Sequence, residues 1–238
     1  MFTYGHMILL GLSIILLIGL LVISRNVDEK QVKKITRVSA IIITILEGIQ
    51  IGFNFYFGYT WINAWFPMWY CGIFIYSLWL SGYGKGKWRR MGDSFLAGAS
   101  MIAGATYLVF PATALTIYPT WHYLSIYSMF FHTMMIYIGI LYFYKLDIKL
   151  NKQLYKSYVK YFLFFALIAF VLNNYCGSNL MMLKKPANIP IPLAYTLYKS
   201  MPWAYTVIVF IVYLFVPYWV TAYLSKFTKR LKGLKKLK

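Results

Sequence analysis

Seven apolar stretches alternate with short polar ones along this chain: residues 7–24, 38–57, 61–83, 93–116, 120–144, 158–180 and 203–225. Each is near the roughly 20 residues that a helix needs to cross the hydrocarbon of a bilayer. Within lipid the backbone must satisfy its own hydrogen bonds, so such stretches are expected to be helical. The pattern predicts an all-α polytopic membrane protein with seven transmembrane helices in a single domain, residues 1–225, followed by a basic tail, 226–238. The first stretch lacks a basic leader and a small-residue cleavage site, so it is read as a retained helix and not as a signal peptide.

The connections give the orientation. Arg25, Lys30, Lys33, Lys34 and Arg37 follow the first stretch, and Lys85, Lys87, Arg89 and Arg90 follow the third. Lys145, Lys149, Lys152, Lys156 and Lys160 follow the fifth, and seven more cations fill the tail. If seven spans are threaded, 21 of the 24 Lys and Arg fall on one side, leaving Lys184, Lys185 and Lys199 on the other. Positive charge marks the cytoplasmic face, so the N-terminus is expected outside and the C-terminus in the cytoplasm of a multi-pass cell (plasma) membrane protein. Six or eight spans would strand a basic connection outside.

Composition supports lipid as the solvent. The chain is 61% hydrophobic and only 12% charged, about half the charged fraction of a soluble domain. A net charge of +19 could suggest nucleic acid, but the cations sit in short runs between apolar stretches, where anionic headgroups account for them. No nucleic-acid partner is expected. Phe227, Leu231 and Leu234 stand at helical spacing among the tail's cations, so the tail is either an amphipathic helix on the anionic inner leaflet or a frayed topogenic end. Cys71 and Cys176 are too few for a disulfide scaffold, and a single bridge is permitted but not required. No metal-ligand spacing and no nucleotide-binding glycine loop is present, so no metal or cofactor is expected.

Prolines and small residues punctuate the helices. Pro67 should kink the third, and Gly98, Ala99, Ala103, Gly104 and Ala105 give the fourth a face for close packing. Pro111, Pro119 and Pro217 fall near ends or bends, and the proline-rich stretch 184–202 is expected to be an external loop or a short re-entrant piece.

Polar groups at membrane depth are costly and hence informative. Glu47, Gln50 and Asn54 share one face of the second helix, either as an interhelical hydrogen-bond clamp or as the wall of a pocket. Cys71 should lie about 15 Å and His132 roughly 18 Å from the outer ends of their helices, at 1.5 Å per residue. Thiol, imidazole and carboxyl thus converge in depth. Cys71 is either a small buried hydrophobe or a nucleophile whose proton His132 takes. His132 is that base or a structural hydrogen-bonding group, and Glu47 is placed to orient it as the third group of a triad. His122 is an interfacial residue or an accessory to the site. Asn173 and Asn174 either line a cavity or cap a helix, and Lys184 and Lys185 either bind a lipid phosphate or form an ordinary solvated turn.

Two stretches carry a family resemblance. One is Trp65-Phe66-Pro67-Met68-Trp69-Tyr70-Cys71. The other runs from Gly98-Ala99 through Gly104-Ala105 to Pro111, then Tyr118-Pro119-Thr120-Trp121-His122 and on to Phe131-His132. Together they resemble the YwaF-like family of bacterial integral membrane proteins, whose animal relatives include an ether-phospholipid acyltransferase. The chain departs from that pattern at Trp69, where many members carry histidine, and at Phe110, where threonine is common. The resemblance implies a Cys–His acyltransferase acting on membrane lipids, with Cys71 as nucleophile and His132 as base. Two other functions fit the same residues. One is a substrate-binding or transport component with a polar intramembrane pocket and a protein partner to supply energy. The other is an assembly factor for envelope or lipid synthesis.

Overall fold

The computed structural model describes residues 3–111, 113–146, 148–186 and 191–235, with side chains through Phe227. Pro190, Lys236 and Lys238, which the sequence reading used, lie outside the described residues. Ten α-helices and one 3-10 turn make up the described fold, in the order α1 (Tyr4–Ile23), α2 (Glu29–Tyr56), α3 (Ile62–Trp65), α4 (Ile73–Tyr83), α5 (Gly86–Gly98), α6 (Ser100–Val109), α7 (Tyr123–Tyr144), α8 (Lys152–Tyr175), the 3-10 turn Leu180–Met182, α9 (Pro192–Ser200) and α10 (Pro202–Lys235). Five of them, α1, α2, α7, α8 and α10, are long and apolar enough to cross a membrane. This is a multi-pass helical membrane protein.

The other two expected spans are interrupted, which corrects the expectation of seven unbroken helices. The stretch 61–83 holds only one helical turn before Pro67, and regular helix resumes at Ile73. Pro67 lacks an N–H and disfavours helix in the residue before it, so the chain leaves the helix at Phe66, which is extended (φ −93°, ψ 111°). The stretch 93–116 is two helices, α5 and α6, joined at Ala99 (φ −125°) and ending at Val109. The basic residues also sit differently. Lys30 to Arg37 lie on the first turns of α2, behind an Asp28–Gln31 capping box. Lys152, Lys156 and Lys160 lie on α8, which starts at an Asn151 cap. The stretch 184–202 ends in α9, and α10 runs on through the first part of the tail.

Helix α7 is the axis of the packing, with most of its residues buried. By contrast only His6, Leu9 and Ser13 of α1 are buried. Small residues set how closely α6 and α5 approach their neighbours. A Cβ on Gly104 would lie 2.6 Å from the His132 carbonyl oxygen and 2.9 Å from Ile136. The Tyr218 ring of α10 sits directly on Gly98, beside the break between α5 and α6.

Pro217 lies inside α10. It has no N–H for the carbonyl of Tyr213, four residues earlier. That carbonyl instead accepts from the hydroxyl of Tyr158 on α8. The Tyr70 hydroxyl donates in turn to that of Tyr158 at 2.8 Å, so the missing helix bond becomes a cross-link between α10, α8 and the residue next to Cys71.

Candidate functional site

A cavity of about 1070 Å³ opens among α2, α3, the lead-in to α4, α6, α7 and α10. Its wall includes Cys71, His132, Glu47, Gln50, Asn54 and Lys185, which the sequence singled out separately. His122, Asn173, Asn174 and Lys184 do not line it.

Cys71 sits where the lead-in from Pro67 turns into α4. Gly72 follows it, and a Cβ there would lie 2.5 Å from the Pro67 carbonyl oxygen. Only glycine lets the turn fold back on Pro67, and that turn sets Cys71 beside the N-terminus of α4. A helix N-terminus favours negative charge nearby. The lead-in is not helical, so the depth of Cys71 does not follow from 1.5 Å per residue from Trp61. Both cysteines are free thiols, with Cys71 half-buried and Cys176 exposed.

His132 is buried on α7. Its Nδ1 lies 2.6 Å from the carbonyl oxygen of Ser128, one turn earlier. A carbonyl only accepts, so Nδ1 carries the proton and Nε2 bears a lone pair. That Nε2 is buried without a hydrogen-bond partner. The Tyr107 ring of α6 stacks on the imidazole, with centroids 3.5 Å apart and planes at 6°. Phe131 meets it edge-on at 5.2 Å. The imidazole is thus fixed in tautomer by one bond and in orientation by two rings. Among the described residues, no hydrogen bond joins it to the Cys71 thiol.

Glu47 is not the group that orients His132. It accepts a hydrogen bond from the Tyr127 hydroxyl at 2.7 Å, and the Ser128 carbonyl holds the imidazole instead. Asn54 donates to the carbonyl of Ala64, tying the end of α2 to α3. On the far wall, Asn179 organises the loop after α8. Its side chain accepts from the backbone amides of Lys184 and Lys185 at 3.0 Å each, and its own amide donates to Asn63. That loop carries Met181 and Met182 at positive φ, 55° and 52°, and both line the cavity. Left-handed non-glycine residues cost about 1–2 kcal/mol each, so the Asn179 bonds act against real strain.

The remaining sequence candidates have structural roles. His122 caps α7 through the Leu124 amide at 3.3 Å and stacks on Tyr118. The Asn173 side chain holds Ser178 and Leu180, and its carbonyl accepts from Lys184 at 3.2 Å. Asn174 bonds back to the Phe170 carbonyl.

Residues missed by the sequence reading are Tyr107, Ser128, Tyr127, Asn63 and Asn179. Only Ser128 carried a usable signal, because it stands four before His132 on an expected helix. No curated protein and no solved structure matches the chain. A family model described as the TMEM164 family matches residues 1–223, almost the whole length, and the chain belongs to that family of membrane proteins.

Proposed function

We propose that this protein is a membrane-embedded lipid acyltransferase that works through Cys71 and His132. The observation that carries this reading is the state of His132. Its Nε2 carries a buried, unpartnered lone pair, and the residue lines a cavity that Cys71 also lines. A neutral imidazole with Nδ1 bonded and Nε2 free is what a general base needs. The resemblance to YwaF-like proteins and their acyltransferase relatives points the same way. Nucleophile and base of such pairs often tighten only as substrate binds.

In the reaction, His132 Nε2 takes the thiol proton as Cys71 Sγ bonds to the ester carbonyl carbon. The ester C–O bond then breaks, and the lysolipid oxygen leaves with the proton from Nε2. The acyl group remains as a thioester. An acceptor hydroxyl or amine attacks it, losing its proton to Nε2, and the departing Sγ recovers that proton. The cavity is roomy and mostly apolar, which suits an acyl chain. Lys185 at its edge supplies the positive charge that a lipid phosphate would meet.

Intact-mass spectrometry of the purified protein tests this. Wild type incubated with phospholipid should carry an acyl adduct that neutral hydroxylamine removes, and Cys71→Ser should not. An adduct that persists on Cys71→Ser rejects Cys71 as the acylated residue.

The same reading includes seven spans, with those of 61–83 and 93–116 as the two broken ones. The N-terminus lies outside the plasma membrane, and the basic tail meets anionic lipids of the inner leaflet. A reporter fused at the C-terminus is expected to be active in the cytoplasm, and an external signal would reverse this topology. Site residues Glu47, Gln50 and Asn54 form the polar wall. If no adduct forms and an energy-supplying subunit copurifies, that wall would belong to a binding or transport component.

A further inference from the structure

Attack of a thiolate on an ester places negative charge on the former carbonyl oxygen. In an apolar cavity that charge needs a preorganised hydrogen-bond donor. Tyr107 is the polar group best placed to supply one. Its hydroxyl accepts from Ser128 Oγ at 2.7 Å and lies 3.2 Å from Thr113 Oγ1. Its ring is stacked on His132, and it lines the same cavity as Cys71. Because Ser128 donates to it, the phenol's own proton is not committed to Ser128. An O–H that accepts one hydrogen bond becomes a better donor in the next.

We propose that Tyr107 is the oxyanion donor of this site, a catalytic residue polarised by Ser128 and aimed at the carbonyl oxygen that Cys71 activates. The inference rests on the acyltransferase reading above. As Sγ bonds to the carbonyl carbon and its proton passes to His132 Nε2, the carbonyl π pair moves onto oxygen and receives the Tyr107 hydrogen bond. The pair returns to carbon as the lysolipid oxygen leaves with the proton from Nε2. One residue would thus both hold the base in plane and stabilise the charge that the base helps to create. Tyr213 is the competing phenol, since it too lines the cavity. It stacks on Tyr70 at 4.4 Å, however, and not on the base.

The test uses the full chain in vesicles of an equal mixture of phosphatidylcholine and phosphatidylglycerol with labelled acyl chains and a lysophospholipid acceptor. Tyr107→Phe keeps the ring on His132 and removes only the hydroxyl. Its kcat should fall by about 10²–10³-fold with KM changed by no more than about twofold, the size expected for one lost oxyanion donor. Its melting temperature in detergent should match wild type. Ser128→Ala should lower kcat in the same direction by a smaller factor. Tyr107→Phe turning over at the wild-type rate, or a loss found only in Tyr213→Phe, overturns the assignment. Wild type is measured first. If it neither transfers nor forms the hydroxylamine-labile adduct, the acyltransferase reading falls and takes this assignment with it. That failure is distinct from an active wild type with an unaffected Tyr107→Phe.

Discussion

A chain carrying His132→Gln should transfer acyl groups about 10²–10⁴-fold more slowly than wild type, the usual worth of a positioned general base. Glutamine can still donate to the Ser128 carbonyl and can still lie against Tyr107, but its amide has no basic nitrogen. The substitution therefore separates what His132 does for packing from what it does for the proton. Initial rates in labelled phospholipid vesicles would measure it, together with the rate at which the thioester adduct appears. Both should fall together, because the same proton transfer limits each. A variant within a few-fold of wild type would leave His132 with a structural role only.

The second large effect is expected at Gly104, which touches no substrate. Gly104→Ala puts a methyl group where the His132 carbonyl lies 2.6 Å away, with Ile136 and Met135 at 2.9 and 3.0 Å. Two of these are side chains that can shift, but the first is α7 backbone. The helices α6 and α7 must separate, and forced overpacking of this kind costs about 1–3 kcal/mol. The separation also pulls Tyr107 off the imidazole, because Tyr107 follows on the next turn of α6. Thermal unfolding in detergent should show the lost stability, and the vesicle assay should show a drop in kcat that exceeds what the unfolded fraction explains. An alanine variant as stable and as active as wild type would mean that the close approach of α6 is not what positions the site.

The sequence made the bilayer legible because lipid imposes one rule on every span. Apolar runs of the right length and the side on which cations gather follow from that rule alone. Expected depth drew attention to Cys71, His132 and Glu47 on three different segments, although the non-helical lead-in removes the helical rise on which the depth of Cys71 was reckoned. What depth cannot contain is azimuth, the direction each side chain takes around its helix. Tyr127 and Glu47 sit on facing helices, so their bond was invisible, and among 23 tyrosines nothing marked Tyr127 or Tyr107. The breaks were illegible for a related reason. Pro67 predicted a kink, but the length of the non-helical lead-in depends on Gly72 folding against the Pro67 carbonyl. The break at Ala99 coincides with a ring from α10 seated on Gly98, a contact between residues 120 apart. Residues 176–180 were expected as the end of the sixth span, whereas the helix stops at Tyr175 and the three-residue turn that follows is held by Asn179 and reaches into the cavity wall. That side chain's role depends on which amides the chain brings to it.

Pro217 gives the site a dependence that no inventory of contacts would reveal. The tie between α10 and the residue preceding Cys71 exists because an atom is missing: without an N–H at position 217, the Tyr213 carbonyl is left to be claimed from outside the helix. Any residue other than proline there would reclaim the acceptor for α10 itself. The helix would become more regular, and the Tyr158 hydroxyl, with Tyr70 behind it, would have to share that oxygen with a helix N–H. Local order and site order are therefore opposed at this position, and the imperfection in the helix is what anchors the lead-in to Cys71.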